Sequence, residues 1–313
     1  MMSTLKELVN KREFLTNGHR LCAGCGASIA VRQIMMGLAE DSEIVVGSAT
    51  GCLEVSTTIY PYTAWKCSFI HNAFENSAAT ISGVEKAYTA LKKKGKISKD
   101  IKFLAMGGDG GTYDIGFQSL SGAMERGHNM VYVCYDNQAY MNTGIQRSSA
   151  TPHGADTTTS PAGKVIAGKK EYKKDLTACM IAHDIPYVAQ ASIHNWKDLV
   201  MKAQKAFTVN GPAFINVISP CPRGWRHDAS LSIKMAKMAV ETCFWPLYEV
   251  ENGVYKINYI PVEKKPVNDW LKAQGRFAHL WREDNTHIID EIQKQLDKKW
   301  EMLLRLNSKE EIK

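Results

Sequence analysis

The run Gly107-Gly108-Asp109-Gly110-Gly111 sets one carboxylate among glycines, and a second polar run, Asp136 to Gly144, follows the next apolar stretch. Glycines leave backbone N–H groups bare, so an anion such as a phosphate can approach the start of the following helix. The Asp109 carboxylate would repel that phosphate. A divalent cation between them removes the conflict, with Asp109, the amide oxygen of Asn137 and a backbone carbonyl supplying an oxygen shell for Mg²⁺. These residue types therefore read as a metal-bridged diphosphate site. The commoner Gly-x-Gly-x-x-Gly and Gly-x-x-x-x-Gly-Lys-Ser/Thr loops are both absent.

The chain has 8 cysteines. Four stand among glycine, proline and small residues: Cys22 and Cys25 in a Cys-x-x-Cys loop, Cys52 in Ala49-Thr50-Gly51-Cys52, and Cys221 between Pro220 and Pro222. Together they make a complete Cys₄ set, which zinc and an iron–sulfur cluster both accept. Cys67, Cys134, Cys179 and Cys243 have apolar neighbours or core spacing and read as small buried hydrophobes. His71 beside Phe69 and Ile70 is read as a packed core residue in preference to a ligand.

Strands are expected at Glu43 to Val46, Ile101 to Met106, Met130 to Tyr135, Tyr187 to Ala189 and Pro212 to Ile218. Helices are expected at 27–40, 72–91, 112–126 (closed by Gly127), 173–183 and 195–207. The strand, helix, strand unit over 101–135 makes its two strands parallel neighbours, with both polar loops at one carboxyl edge. The predicted class is α/β, a doubly wound, mostly parallel sheet. Residues 1–17 read as an amphipathic arm lying on a partner, and 18–227 as the domain that carries the chemistry. Within it, 151–168 is a long loop expected to cover the site. Residues 228–313 read as an extension that packs on the main domain or on another subunit. It comprises a helix at 228–242, a hairpin at 247–260 around Asn252-Gly253, and helices at 267–280 and 286–306.

At 313 residues and 44% hydrophobic composition the chain can bury a large core. No apolar run approaches a membrane span and the first residues hold no signal-peptide core, so a cytoplasmic protein with no membrane association is expected. The formal charge of +7 is modest. Lysines 92–94 and 169–170 read as solvated helix ends that could still draw in an acidic electron carrier. Nucleic acid is disfavoured, because no basic stripe is interleaved with aromatics.

Gly108-Asp109-Gly110 followed by Asp136-Asn137 resembles the thiamine diphosphate motif. The longer run YDNQAYMNTGIQRSSATP, residues 135–152, resembles the β subunits of the 2-oxoacid:ferredoxin oxidoreductases, the pyruvate enzymes first among them. The resemblance spans about residues 17–227. It implies thiamine diphosphate held by Cys52, Gly108, Asp109, Gly110, Gly111 and the run Asn137, Gln138, Ala139, Tyr140, Met141, Asn142. Mg²⁺ would sit on Asp109, Asn137 and the Ala139 carbonyl, and Asn142 would reach the reacting centre as the catalytic residue. Cys22, Cys25, Cys52 and Cys221 would hold a [4Fe-4S] cluster. Ile145 stands where some members have Gly, and Asp156 where Trp or a small residue is expected, differences that bear on substrate choice.

The implied reaction is oxidative decarboxylation of a small 2-oxo acid, pyruvate first, with coenzyme A taking the acyl group and ferredoxin the electrons. Oxalate, giving carbon dioxide without coenzyme A, is the alternative substrate. The family draws a further catalytic Glu from another domain. An α subunit is therefore implied, along with further subunits carrying more iron–sulfur clusters. Two readings from other classes compete: a zinc-stabilised binding module, and an electron-transfer subunit without thiamine.

Overall fold

The computed structural model describes residues 4–307. The first three residues of the expected arm and the last six of the expected extension lie outside the described residues. Eight strands form one sheet: β1 (Glu43–Ala49), β2 (Ser68–Asn72), β3 (Ile101–Gly108), β4 (Val131–Asp136), β5 (Tyr187–Ser192), β6 (Ala213–Ile218), β7 (Leu247–Glu251) and β8 (Val254–Tyr259). Their spatial order is β2-β1-β3-β4-β6-β5-β7-β8, and every pair from β2 to β5 is parallel.

Parallel strands covered on both faces read as unbroken apolar runs, which is why β4, β5 and β6 are buried along their whole length. Side chains alternate between the faces of a strand. Leu104 and Met106 of β3 thus join one hydrophobic cluster, and Phe103 and Ala105 join the other. Neighbouring strands stand about 4.8 Å apart, and β1, β3, β4 and β6 are consecutive in the sheet. Their four carboxyl-end loops therefore leave one edge in a row.

The structure corrects four expectations. An edge strand, β2, occupies 68–72, and the helix after it starts only at Ser77 (Ser77–Lys93). Its five residues hold only two large apolar side chains, adjacent Phe69 and Ile70, too little apolar signal to mark it. The expected helix at 112–126 is broken: a wide π-helical turn (Gly110–Asp114) precedes an α-helix, Phe117–Glu125. Gly116 makes this possible, because a Cβ there would lie 2.1 Å from the Gly111 carbonyl oxygen. Such turns recur at functional sites.

The third correction concerns the arm, which lies on its own chain. Leu8, Phe14 and Leu15 are buried, and the Thr16 N–H donates to the Ala64 carbonyl at 2.7 Å. The fourth concerns the loop at 151–168. The Thr158 hydroxyl donates to the Gly144 carbonyl at 2.9 Å and the Asp156 N–H to the Arg276 carbonyl at 3.0 Å. The loop is fastened beside the polar run 136–144 and lines no part of the cleft described below.

The C-terminal extension completes the same sheet. β7 pairs antiparallel with β5, and the turn to β8 uses Asn252 and Gly253 at φ 49° and 81°, as a two-residue hairpin requires. The Ser232–Glu241, Val267–Lys272 and Thr286–Asn307 helices bury Met235, Trp270, Ile288 and Leu296 in the cluster that also holds Leu104. Among the described residues no helix is long and apolar enough to cross a membrane.

Candidate functional site

Asp109 follows the last residue of β3 and is fully buried. Its Oδ1 accepts the Asn137 N–H at 3.2 Å and its Oδ2 accepts the Ser148 hydroxyl at 2.5 Å. Burial pushes its carboxyl well above the usual range, and the neighbouring Asp136 pushes it further. Asp136 is also fully buried but has a cation: Lys173 donates to Oδ2, which also accepts Tyr113 Oη at 2.6 Å. Among the described residues Asp109 makes no such ion pair.

One terminal atom of the Asn137 amide lies 2.8 Å from Asp109 Oδ1 and 2.9 Å from the Ala139 carbonyl oxygen. Turned with nitrogen inward, the amide donates to both. With oxygen inward, three oxygens converge with no proton among them. Oxygens on adjacent corners of an octahedron around Mg²⁺, with bonds of about 2.1 Å, stand about 3.0 Å apart. The two edges that meet at the Asn137 amide thus have the lengths of such a shell. Gln138 makes the bend between Asn137 and Ala139 by taking φ 69°.

Thr50, Gly51, Cys52, Gly108, Asp109, Gly110, Gly111, Asn137, Ala139, Tyr140, Met141 and Asn142 line one cleft together with Phe74, Tyr135 and Thr143. Every cofactor-binding residue expected from the sequence is there except Gln138, whose side chain turns away so that Oε1 accepts from Arg276 at 2.5 Å. A Cβ on Gly110 would meet the Tyr140 ring at 2.4 Å, so only glycine fits beneath that ring. Asn142 is exposed at the mouth. The cleft has a volume of about 20 Å³, far below the roughly 300 Å³ or more that encloses a cofactor-sized ligand. A larger cavity of about 130 Å³ lies elsewhere, between the 286–307 helix and β7, and holds none of the expected site residues.

The four loop cysteines gather at the same edge. The Gly26 N–H donates to the Pro220 carbonyl at 3.1 Å, binding the Cys-x-x-Cys loop to the loop of Cys221. Gly24, at φ 71°, carries its carbonyl to the Ser232 hydroxyl at 2.6 Å. Burial, aided by the other loop cysteines, pushes the thiols of Cys25 and Cys52 up to about 11 and 12. Cys221 is also raised by burial. All eight cysteines are free. Among the described residues no three of His, Cys, Asp or Glu converge closely enough to hold a single metal ion.

Cys134 and Cys243 are buried as expected, whereas Cys67 and Cys179 are half-buried. The His71 side chain is 61% exposed and its Nδ1 lies 2.5 Å from Glu54 Oε1, so it is no core residue. The sequence reading missed Ser148, Lys173, Phe74, Trp225 and Arg276. Ser148 lies within the quoted run 135–152 and was within reach. The others arrive through tertiary folding and carry no local signal.

Residues 46–217 match the family of the thiamine pyrophosphate enzyme C-terminal TPP-binding domain. Pyruvate synthase subunit PorB of Thermotoga maritima is 55% identical over 96% of this chain and 95% of that protein. PorB of Methanocaldococcus jannaschii is 52% identical over 94% and 97%. Ketoisovalerate oxidoreductase subunit VorB of Pyrococcus furiosus is 44% identical over 92% of each. A solved 2-oxoglutarate:ferredoxin oxidoreductase from Magnetococcus marinus, with 2-oxoglutarate, coenzyme A and succinyl-CoA bound, shares the fold. It has a TM-score of 0.56 and 23% identity, over 72% of this chain and 79% of that one. With a family model matched over more than half of its length and relatives matched over nearly all of it, this chain belongs to the thiamine pyrophosphate enzymes as a β subunit of the 2-oxoacid:ferredoxin oxidoreductase family, one chain of a multi-subunit enzyme.

Proposed function

We propose that the chain carries thiamine diphosphate, Mg²⁺ and a four-iron cluster in the oxidative decarboxylation of pyruvate, passing electrons toward ferredoxin. The observation that carries this reading is the meeting of the Asn137 amide with the Ala139 carbonyl and with Asp109 Oδ1, part of a buried carboxylate that forms no ion pair among the described residues. Asp109, Asn137 and Ala139 would hold the metal, and the bare amides after Asp109 would face the diphosphate. Thiamine diphosphate, when bound, supplies a carbanion equivalent able to attack a 2-oxo acid and retain electrons after carbon dioxide leaves.

The chain's own residues prepare this edge. Ser148 and the Asn137 N–H fix both oxygens of Asp109, and Phe74, 5.9 Å from the Tyr140 ring, closes the cleft with apolar surface. Two buried polar atoms at this rim lack partners among the described residues: Tyr135 Oη, which lines the cleft, and Ser219 Oγ, beside Gly26 of the Cys-x-x-Cys loop. Buried polar atoms are ordinarily satisfied, so the orphans favour a bound group there. The cysteines favour a cluster over zinc. Zinc draws four sulfurs to about 2.3 Å from one centre, whereas a cluster takes one thiolate per iron and suits thiols that face one another without converging. Asn142, at the mouth, is the proposed contact to the reacting centre.

Pyruvate is the first substrate by the names of the relatives. A cleft of about 20 Å³ cannot enclose the cofactor alone, which supports an α subunit as the source of the remaining walls. Residues 18–227 would form the cofactor-binding domain, with 228–313 contacting that partner. Expressed alone, the chain should give no 2-oxo-acid-dependent dye reduction, and adding the α subunit should restore it. A screen of pyruvate, ketoisovalerate, 2-oxoglutarate and oxalate on the assembled enzyme then assigns the substrate. Full turnover by the isolated chain would reject the shared site.

A further inference from the structure

Arg276 is 2% exposed and lies in the 3₁₀ segment Gly275–Trp281 of the C-terminal extension. Its guanidinium stacks over the Trp225 ring at 4.4 Å, and its donors go to the side-chain oxygens of Gln138, at 2.5 Å, and Gln274, at 3.0 and 2.7 Å. Both acceptors are neutral amides. The nearby Asp156 pairs with Arg226 instead, at 2.7 Å, and no Asp or Glu among the described residues forms an ion pair with Arg276. A buried charge without a counter-charge is costly.

The geometry shows what could balance it. Trp225 ends the short helix that begins right after Cys221, and Gly275 is locked to the same stretch by its N–H to the Arg226 carbonyl at 3.1 Å. Arg276 is thus wedged between the loop of Cys221 and the turn at Gln138. Burial pushes its pKa down to about 9, while Cys221, followed by Asp136 and Asp109, acts in the opposite direction. Arginine keeps its charge under these conditions.

We propose that Arg276 is the buried counter-charge of the iron–sulfur cluster held at Cys221, a positioning residue that raises the cluster's reduction potential. A four-thiolate cluster is anionic and gains a further negative charge on reduction, so a fixed cation nearby favours the reduced form. The proposal rests on the cluster assignment made above. The test uses the assembled enzyme purified without oxygen, with iron content measured first and the cluster then titrated by electron paramagnetic resonance. In Arg276→Gln the reduced-to-oxidised ratio at a fixed poise should fall about tenfold, a shift of about 59 mV for one electron.

Arg276→Lys keeps the charge but loses the planar pair of bonds, so it should restore the potential while still lowering thermal stability. Gln138→Glu gives the same readout if Arg276→Gln fails to fold. The Nε2 it replaces has no partner, and the new carboxylate would neutralise Arg276 in place, lowering the potential. An unchanged potential in the iron-loaded Gln or Glu variants, or an equal drop in the Lys variant, overturns the proposal. A wild-type enzyme free of iron overturns the cluster assignment, and this proposal falls with it.

Discussion

The Trp225 indole donates to the Asn137 carbonyl oxygen at 2.8 Å, and both residues are buried. With the Ser219 N–H, which donates to the Asp136 carbonyl at 2.8 Å, this bond ties the loop of Cys221, after β6, to the end of β4. Trp225→Phe keeps most of the volume and removes the donor, leaving a buried carbonyl unpaired. A loss of about 1–3 kcal/mol is expected by denaturant unfolding. A melting curve matching wild type would show that the tie is dispensable.

Asp109→Asn keeps the shape and removes the charge that Mg²⁺ would meet. Affinity for thiamine diphosphate in the presence of Mg²⁺ should fall by roughly 100-fold or more, read by fluorescence titration of the assembled enzyme. Without metal the variant should melt no lower than wild type, because burial and Asp136 already oppose the Asp109 charge. Retained affinity would remove Asp109 from the metal shell.

Cysteine replacements should separate into two groups. Serine at Cys25, Cys52 or Cys221 should strip most of the iron from an anaerobic preparation, whereas Cys179→Ser should leave it unchanged, since Cys179 packs against the cluster that holds Phe103 and Cys25 and Cys221 pack against the other. Iron content that ignores this division would dissolve the four-cysteine set.

His194 gives a pH signature away from the cofactor edge. Burial, aided by Lys237, lowers its pKa from 6.5 to about 4, and its Nδ1 lies 2.9 Å from the Ser192 hydroxyl. The unfolded chain takes up this proton near the ordinary value while the folded chain resists it. Stability should therefore fall as pH drops through that window, by about 2 kcal/mol once partial exposure is allowed for. His194→Gln should flatten this part of the unfolding profile. An equally steep profile in the variant would assign the acid sensitivity to other groups.

The loops of Cys52, Asp109, Asn137 and Cys221 were legible because each follows an apolar run long enough to be a buried strand, and the Cys-x-x-Cys loop by its spacing alone. Once β3 and β4 are parallel neighbours, Asp109 and Asn137 have to meet. What escaped was set by contacts between distant segments. β2 sets only Phe69 and Ile70 among polar residues on an edge, the π-helical turn depends on Gly116 meeting Gly111, and Arg276 reaches Gln138 across 138 positions of chain. The extension shows no chemistry in its sequence for the same reason: a lone arginine beside aromatics has no recognisable spacing.

The most direct measurement is a metal, sulfide and cofactor inventory of the enzyme purified without oxygen, run beside its Asp109→Asn and Cys221→Ser variants. About four irons and four sulfides are expected for this chain's cluster, lost in Cys221→Ser and kept in Asp109→Asn, with Mg²⁺ and thiamine diphosphate lost only in Asp109→Asn. Zinc in place of iron, or thiamine diphosphate retained in full when Asp109 is neutralised, would contradict a single edge built for both groups.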